Sequence, residues 1–582
     1  MNAERLLELY DNISEAPNAV DRLRRFVLDL AVRGKLVEQD VGDEPASRLV
    51  SKLALEKKRL IDNRQIKKPN STHPIAPCER PIECPSHWNW LRLTDIGRLS
   101  GGMTPSKTKH EYWDGSIVWL SPKDIKSDEI DTSELKITEQ GLNDTRLELY
   151  PAGSLFIVAR SGILKRTFPV SINRVPAASN QDLKVLTPYV NGLERYLQIM
   201  FRGMTDFLLR DLVKTGTTVQ SLKYAEFEKQ AFPLPPLAEQ HRIVSKVDEL
   251  MALCDRLEEA RKEREETRDR LTRASLARLT APETTEEEFP AHAAFALSAL
   301  PALTTRPHQI KSLRQTILNL AVRGKLVEQD PANGSGAALA HCIASDKAAK
   351  TKAGLIKPAK APKGATLNSG LEFPDHWQAL LMVDILDELQ TGPFGSSLKK
   401  SDYVVNGVPV INPASIVNEA IHPVTEMAVS QKTLERLASF KLQQGDIVMA
   451  RRGEMGRCAL VSDTEAGWLC GTGSLILRPS QLLFARYLVL LIGSPYSRSY
   501  LTGSAVGATM QNLNQNILLS MPIGLPPEPE QRRIVAKVDE LMALCDQLEA
   551  ALTKTDTTRT RLLDALLHEA LEPSSNNKEA AE

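Results

Sequence analysis

The 582-residue chain has few aromatic residues and no excess of either charge. Aromatics make up 5% of it, and 73 Lys and Arg residues balance 73 Asp and Glu residues. A formal net charge of zero argues against a polybasic protein held to nucleic acid by bulk charge, although a local basic patch stays compatible with it. No stretch approaches the roughly 20 apolar residues of a membrane helix, and no basic-then-apolar signal peptide opens the chain. We therefore expect a cytoplasmic protein with no membrane contact.

Cysteine is scarce and irregularly placed. The seven cysteines are odd in number, and no Cys-x-x-Cys pair or Cys/His cluster occurs, which argues against zinc fingers and disulfide frameworks. The sequence also lacks a glycine-rich phosphate loop ending in Gly-Lys-Ser/Thr and the GxSxG and HExxH motifs. We therefore predict that this chain is not an enzyme and that it holds no metal ion and no cofactor of its own.

What the chain does contain is a repeat. The segment LAVRGKLVEQD occurs at 30–40 and again at 320–330. The longer segment LPPLAEQHRIVSKVDELMALCDRLEEA at 234–260 recurs as LPPEPEQRRIVAKVDELMALCDQLEAA at 525–551. Because both pairs are separated by about 290 residues, the chain is a tandem duplication of one domain-sized unit, and short solenoid repeats are excluded.

The two copies are not equally similar along their length. The helical flanks are nearly identical, whereas the interiors, 88–233 and 377–524, share little beyond scattered glycines. Drift after duplication would account for the interiors but not for flanking helices of ordinary surface composition that stayed the same. We favour a common scaffold that presents two different recognition surfaces.

The interiors have the pattern of β-rich domains. Short apolar runs alternate with glycine-rich turns, which is typical of strands in mixed α/β or β-rich domains. The predicted strands include 117–120, 154–158, 408–411, 447–450 and 474–477. The expected fold class is α+β, a tandem duplication of a globular mixed α/β (β-rich) domain followed by a long α-helix.

Each interior is followed by a Pro-Pro pair and then by a long helical pattern. Apolar residues recur there at alternating spacings of four and three, as in a coiled-coil seam. We predict that the two long helices pair with each other as an antiparallel coiled coil. The predicted pairing residues are Ile243, Val247, Leu250, Cys254 and Leu257 in the first copy and Ile534, Val538, Leu541, Cys545 and Leu548 in the second.

Composition suggests the remaining boundaries. The Lys-rich runs 52–68 and 347–363 are typical of solvated linkers, with nonspecific phosphate contact as the alternative. An Ala- and Pro-rich stretch between the copies predicts a linker. The expected division is a helical and basic linker region (1–84), a first variable domain (85–237), a first long helix (238–280), an Ala/Pro linker (281–308), a repeated helix with a Lys-rich linker (309–372), a second variable domain (373–527), a second long helix (528–571) and a disordered tail (572–582).

Several motifs together carry a family resemblance. They are PSHW (85–88) and PDHW (374–377), TGTTVQSL (215–222), PLPPLAEQHRIV (233–244), TGPFGSSLKK (391–400), GDIVMARRGEMGR (445–457) and LPPEPEQRRIV (525–535), with the long helices after them. With this set the chain resembles the specificity (S) subunit of type I restriction–modification systems over about residues 20–568. At the second junction Glu528-Pro529 replaces Leu237-Ala238, a departure that leaves the resemblance intact.

The resemblance implies a non-catalytic DNA-binding subunit. Two target-recognition domains would each bind one half of a bipartite, asymmetric DNA site, and the paired helices would set the distance between the halves. The implied partners are double-stranded DNA, two methyltransferase (M) subunits and restriction (R) subunits. S-adenosylmethionine, ATP and Mg would then reside on the partner subunits.

A few polar residues in the glycine-rich turns are the candidates for DNA contact, because neither variable domain is basic as a whole. Arg can recognise guanine, and Asn or Gln can recognise adenine, through paired hydrogen bonds. The candidates are Thr104, Ser106, Lys107, Arg160, Thr217 and Gln220 in the first domain and Ser396, Lys399, Lys400, Arg451, Arg452, Gln511 and Asn512 in the second. For each residue a solvated turn is the alternative. For the whole chain the alternative is a coiled-coil adaptor that binds proteins and not DNA.

Overall fold

The computed structural model describes residues 15–66, 73–216, 219–281, 287–357, 362, 364–367, 370–394, 396–503 and 513–571. The chain divides into two compact units. The first contains the residues up to Glu263 and those from Asp556 onward, and the second contains Arg264–Thr555. Each unit therefore combines one variable domain with parts of both long helices.

Helices flank each variable domain, and shorter helices lie within it. In chain order they are α1 (Ala19–Val32), α2 (Ala46–Asp62), α3 (Leu93–Ile96), α4 (Glu139–Thr145), α5 (Glu194–Gly203), α6 (Thr205–Asp211), α7 (Tyr224–Lys229), α8 (Leu237–Thr280), α9 (Phe289–Leu303), α10 (Pro307–Val322), α11 (Gly336–Lys352), α12 (Met382–Ile385), α13 (Gln431–Arg436), α14 (Ala485–Gly493), α15 (Pro495–Gly503), α16 (Gln515–Leu519) and α17 (Glu528–Leu571). The two predicted long helices are confirmed as α8 and α17, each of 44 residues.

The first variable domain is built on a five-stranded sheet of order β2-β10-β6-β8-β4. Two three-stranded sheets, β5-β3-β9 and β11-β12-β7, and the pair β1-β13 complete it. The strands are β1 (Asn89–Arg92), β2 (Gly97–Gly101), β3 (Trp113–Leu120), β4 (Glu129–Ile130), β5 (Leu135–Ile137), β6 (Leu155–Val158), β7 (Arg160–Ser161), β8 (Val170–Asn173), β9 (Ala177–Ser179), β10 (Leu183–Pro188), β11 (Val213–Lys214), β12 (Gln220–Leu222) and β13 (Ala231–Leu234). All four residues of the central strand β6 are buried, as its uninterrupted apolar run predicts.

The second variable domain has two four-stranded sheets, of orders β15-β24-β21-β22 and β16-β20-β17-β23, and the pairs β14-β25 and β18-β19. The strands are β14 (Gln378–Leu381), β15 (Leu386–Thr391), β16 (Tyr403–Val404), β17 (Val408–Ile411), β18 (Ile416–Val417), β19 (Ala420–Ile421), β20 (Ala428–Val429), β21 (Ile447–Ala450), β22 (Cys458–Leu460), β23 (Leu469–Cys470), β24 (Ser474–Pro479) and β25 (Pro522–Leu525).

The two interiors share a topology that their sequences do not display. In the central sheets, β15, β24, β21 and β22 follow the same order as β2, β10, β6 and β8. In both domains a second sheet contains one parallel pair, β3 with β9 and β17 with β23. Buried strands need apolar residues of suitable size and not particular ones, so the fold was retained while residue identity was lost. The expected α+β fold class with two copies of a β-rich domain is confirmed.

The start of each long helix packs on the variable domain of its own unit. Ile243 and Val247 belong to the hydrophobic core that contains β6 and α5, and Ile534 and Val538 belong to the core that contains β21 and α14. The prediction that these four residues pair the long helices is therefore wrong, because a periodic apolar stripe identifies buried positions but not the partner that buries them.

The other six predicted pairing residues show a range of exposure. Leu250 packs against the first of these cores, and Leu541 and Cys545 lie in or against the second. Cys254 and Cys545 are buried, as free cysteines that act as small apolar residues usually are. Leu257 is half-buried, whereas Leu548 is 41% exposed. Direct pairing of the long helices by these residues stays a prediction.

Each Lys-rich segment begins on a helix. The first run begins on α2, where the Lys57 amino group contacts Asp95 at 2.8 Å. The second begins on α11, where Lys350 contacts Asp387 at 2.8 Å. The linker prediction is wrong for the parts of the runs that lie on α2 and α11, because these lysines contact an acidic residue of the short helix or strand that opens each domain.

The Ala/Pro segment between the copies also contains structure. It includes α9, where Ala296 is buried together with Leu276 and Leu320. The linker prediction is wrong for this segment, because its many alanines favour a helix. The predicted disordered tail, 572–582, lies outside the described residues.

Among the described residues, neither a membrane-crossing helix nor a metal-binding cluster is found. No helix in this part of the chain is both long and apolar enough to cross a bilayer. No group of three or more His, Cys, Asp or Glu side chains within it is placed to hold a metal ion.

Candidate nucleic-acid interface

A buried carboxylate fixes each variable domain to its long helix. Glu239, in the first turn of α8, has no exposed side-chain surface and accepts hydrogen bonds from the Trp88 indole Nε1 at 3.1 Å and from His87 Nε2 at 2.9 Å. In the second unit Glu530 accepts from Trp377 Nε1 at 3.0 Å and from His376 Nε2 at 2.8 Å. The repeated Pro-x-His-Trp motif is thereby explained, since its His and Trp both contact the long helix.

Three segments meet where the central strand β6 ends. The backbone N–H groups of Ala159 and Arg160 both donate to the Asp182 carbonyl oxygen, at 2.8 and 3.1 Å. On the other side, Arg160 is the register partner of Ser221 on β12. The exposed Arg160 side chain is thus placed beside the turn that leads into β10.

The glycine-rich loop after β2 joins the same place. A Cβ atom on Gly102 would overlap the Ser179 carbonyl oxygen, so only glycine allows this close approach. The Thr104 hydroxyl then donates to Gln181 Oε1 at 2.7 Å. The first polar edge, as we call residues 102–109, 160–162 and 180–182, therefore brings Thr104, Ser106, Lys107 and Arg160 together on one end of the domain.

Two other predicted residues of the first domain fall elsewhere. Gln220 is buried, and its Nε2 donates to the Gly216 carbonyl at 3.4 Å. Its prediction as a DNA-contacting residue is wrong, because the side chain is buried and bonds the backbone of Gly216 instead of facing solvent. Thr217 lies outside the described residues.

The second domain repeats this arrangement with different side chains. A Cβ on Gly392 would overlap the Gly471 carbonyl oxygen, and the Thr472 hydroxyl donates to the Pro393 carbonyl at 2.9 Å. The Arg451 N–H donates to the Gly473 carbonyl at 2.8 Å. We call residues 392–394, 396–400, 451–453 and 471–473 the second polar edge.

The predicted residues of the second edge differ in exposure. Ser396, Lys399 and Lys400 are exposed, as is Arg452. Arg451 Nε donates to the Leu513 carbonyl at 2.9 Å. Part of the Arg451 guanidinium is thus used to hold the backbone at Leu513, and its prediction as a DNA-contacting residue stays a prediction. Gln511 and Asn512 lie outside the described residues.

Sequence reasoning missed two exposed side chains at these edges. Gln181 is exposed beside Thr104, and Phe394 is 67% exposed at the start of the loop after β15. Phe394 lies within the TGPFGSSLKK motif, but an apolar residue in a polar loop gave no reason to expect it at the surface. An exposed aromatic ring can contact a thymine methyl group or a base face.

The two edges offer overlapping but different sets of polar groups. Hydroxyls, guanidinium groups and ammonium groups project from turns held by buried strands on both edges, and the first edge adds the amide of Gln181. Arg and amide groups can pair with base edges in the major groove, and Lys and Ser/Thr can contact phosphates. The arrangement defines a class of protein, a recognition protein with two variable domains that carry different polar surfaces on a repeated scaffold.

Comparison with known proteins identifies the family within this class. Residues 85–266 and 387–555, together more than half of the chain, match the family model described as "Type I restriction modification DNA specificity domain". The chain therefore belongs to the type I restriction–modification DNA specificity family, and the resemblance inferred from its motifs is confirmed.

Similar proteins align over most of the chain. The type I restriction enzyme EcoEI specificity subunit of Escherichia coli is 28% identical over 580 residues, which cover 95% of this chain and 94% of the relative. The EcoAI specificity subunit of the same species is 27% identical over 576 residues, with coverage of 95% and 94%. Among solved structures, the HsdS subunit from Thermoanaerobacter tengcongensis is 19% identical, with a TM-score of 0.40 and coverage of 84% and 98%.

Proposed function

We propose that this chain is the non-catalytic DNA-recognition subunit of a type I restriction–modification complex and that each polar edge recognises one half of a bipartite, asymmetric site. The observation that carries the proposal is the pairing of one geometry with two sets of side chains. The same loops meet at the end of the central sheet in both domains, with Thr104 and Arg160 on one edge and Ser396 and Arg452 on the other. Because the two edges share a loop arrangement but carry different side chains, they are expected to recognise two different base sequences.

The duplicated face of the long helices supports docking of two copies of one partner. Leu253 on α8 and Leu544 on α17 are 43% and 48% exposed and occupy the same repeat position. Each is preceded by an exposed lysine–glutamate pair, Lys246 with Glu249 and Lys537 with Glu540, at 2.9 Å in both units. Equivalent surfaces favour equivalent partners, and the two methyltransferase subunits are the partners that fit.

The rest of the assembly follows from the same proposal. The methyltransferase subunits would bring S-adenosylmethionine, and restriction subunits would bring ATP and Mg, so that this cytoplasmic chain needs neither cofactor nor catalytic group. Its long helices, roughly 66 Å each at 1.5 Å per residue, would set the spacing between the half-sites.

Replacing one arginine should affect one half-site only. For the complex of this chain with its methyltransferase subunits, Arg160→Ala should weaken binding roughly tenfold or more through the half-site of the first domain, because a bidentate Arg–guanine contact contributes ~1–3 kcal/mol. Arg452→Ala should act on the other half-site. Binding is measured by gel shift against duplexes in which either half-site is scrambled, after the sites are found by mapping methylated adenines.

The control for this experiment is Arg59→Ala on α2, whose side chain is 69% exposed. It should leave both half-sites unchanged. Equal losses at both half-sites for Arg160→Ala would contradict the assignment of one edge to one half-site. If the unaltered complex shifts no DNA in a sequence-specific way, the adaptor interpretation gains support instead.

The exposed ring of Phe394 should contribute to the second half-site. Phe394→Ala should weaken binding about three- to tenfold if the ring contacts a thymine methyl group or a base face, and Phe394→Leu should retain part of the affinity. Phe295 on α9, which is 58% exposed, provides a matched aromatic control. A loss of affinity for duplexes with a scrambled second half-site would assign Phe394 to a different role.

A further inference from the structure

The first unit contains a basic cleft that no recognised motif accounts for. It has a volume of about 860 Å³ and lies between α1, the loops 125–127 and 163–171, and the end of α5. Its floor is apolar and includes the buried rings of Phe26 and Phe168. Its rim carries six basic side chains against two acidic ones, Asp29 and Asp206, and the six are Arg22, Arg25, Arg33, Lys126, Arg166 and Arg202.

Three of the six cations already have carboxylate partners. Arg22 contacts Asp564, Arg33 contacts Asp29 at 2.9 Å, and Arg202 contacts Asp128 at 2.5 Å. Two arginines hold the pKa of Asp128 below its usual value even though burial opposes this. These pairs are satisfied within the unit and hold the cleft walls in place.

The other three cations have no such partner. Within the described part of the chain, the side chains of Arg25, Lys126 and Arg166 form no ion pair and no hydrogen bond, although all three line one cleft. Three unpaired positive charges around one space repel each other in the absence of an anion. The arrangement therefore suits a ligand that carries several regularly spaced negative charges.

The cleft continues the first polar edge along the chain. Arg166 lies six residues after Arg160, and the intervening turn Gly162–Lys165 is anchored by the buried Leu164. Lys165 is exposed between them. A row of positive charge thus runs from the polar edge to the mouth of the cleft, as expected for a surface that follows a strand of nucleic acid beyond the recognised bases.

Part of this charge is specific to the first unit. Arg24 of α1 and Arg314 of α10 hold equivalent carboxylates, Asp255 and Asp546, at 2.7 and 2.6 Å. The neighbouring basic residues are not kept, because Ser312 and Gln315 stand in α10 where Arg22 and Arg25 stand in α1. The contact that holds the helix to its own unit is duplicated, whereas the charges of Arg22 and Arg25 are not.

We propose that the cleft binds the phosphate backbone of duplex DNA adjoining the half-site recognised by the first domain, through Arg25, Lys126 and Arg166. This rests on the proposed function and adds to it a contact outside the recognised sequence, on one side of the bipartite site only. Phosphate contacts fix the position of a protein on DNA without reading its bases. The complex would therefore make more phosphate contacts beside the half-site of the first domain than beside that of the second.

The test is the salt dependence of DNA binding by the complex with methyltransferase subunits. The triple variant Arg25→Gln, Lys126→Gln, Arg166→Gln should lower the magnitude of the slope of log K against log salt by about two to three, since each phosphate contact contributes about 0.9. The effect should appear on duplexes that extend past the first half-site. It should vanish on duplexes trimmed at that half-site, and the mapped methylation sequence should stay the same.

A second triple variant, Lys58→Gln, Lys136→Gln, Lys229→Gln, removes the same charge from exposed positions and should change the slope by less than one. An equal change in both variants, or an unchanged slope in the first, would overturn the proposal. The proposal would also be overturned if ATP or pyrophosphate bound in the cleft without any effect on DNA binding. The ligand of the cleft would then be a free phosphate compound and not DNA. Arg160→Ala could still weaken binding at one half-site while the first triple variant leaves the salt slope unchanged. In that case only the assignment of the cleft fails, and the proposed function stands.

Discussion

Glu239→Ala is expected to lower the free energy of unfolding of the first unit by about 2–4 kcal/mol. The substitution leaves the buried Trp88 N–H without an acceptor, and an unsatisfied buried donor costs about 1–3 kcal/mol. It also opens a cavity at the point where the domain meets α8, which adds to the loss. His87, which is 40% exposed, can recover a water partner and adds little. Thermal or urea unfolding of the full chain measures the change.

The second unit provides an internal replicate of this experiment. Glu530→Ala removes the same contacts from Trp377 and His376 and should have an effect of similar size. Glu239→Gln keeps an acceptor and should recover much of the loss, whereas Glu249→Ala, at a side chain that is 67% exposed, should change the free energy by less than about 0.5 kcal/mol. If Glu239→Ala were as mild as Glu249→Ala, the buried carboxylate would not be what holds the domain to α8.

Gly34→Ala should destabilise the first unit by about 2–4 kcal/mol, and Gly324→Ala should do the same in the second. Both glycines end a repeated helix at positive φ, +67° and +71°, where an L side chain is strained by roughly 1–2 kcal/mol. In addition, a Cβ would lie 2.5 Å from a Pro85 ring carbon in the first unit and 2.5 Å from a Pro374 ring carbon in the second. Such overpacking adds about 1–3 kcal/mol.

Gly354→Ala separates the two causes. Gly354 has φ +73°, but no atom lies within 4 Å of the position that a Cβ would take there, so only the backbone strain applies. It should therefore destabilise by about 1–2 kcal/mol. Equal losses for Gly34→Ala and Gly354→Ala would show that the contact of the repeated helix with the Pro-x-His-Trp segment is too loose to matter.

The repeated parts of the molecule were predicted well, because a helix pattern that occurs twice at the same offset is unlikely to arise by chance. The Pro-Pro pairs before α8 and α17 and the strands β6 and β21 all follow from local chemistry. What a stripe of apolar residues packs against depends on the whole fold, so Ile243 and Val247 were assigned to the wrong neighbour.

The candidate site was predicted less completely than the fold. The glycine-rich turns located the polar edges, because glycine permits the close backbone approach that Gly102 and Gly392 show. Which side chain of a turn faces solvent depends on hydrogen bonds between distant segments. Gln220 was therefore overestimated as a contact residue, and Gln181, which meets Thr104 from a loop 77 residues away, was missed.

The division of the long helices also bears on how the chain would respond to cleavage. Leu563 and Leu566 near the end of α17 pack with Ala16 and Ala19 in the first unit, while Leu276 and Leu279 near the end of α8 pack in the second. Each repeat thus donates its helix end to the other, as two protomers do in a domain-swapped dimer. A protease cut between Thr280 and Phe289 would leave two fragments, each holding a piece the other requires. We expect such a nicked protein to remain one particle in size-exclusion chromatography until it is unfolded.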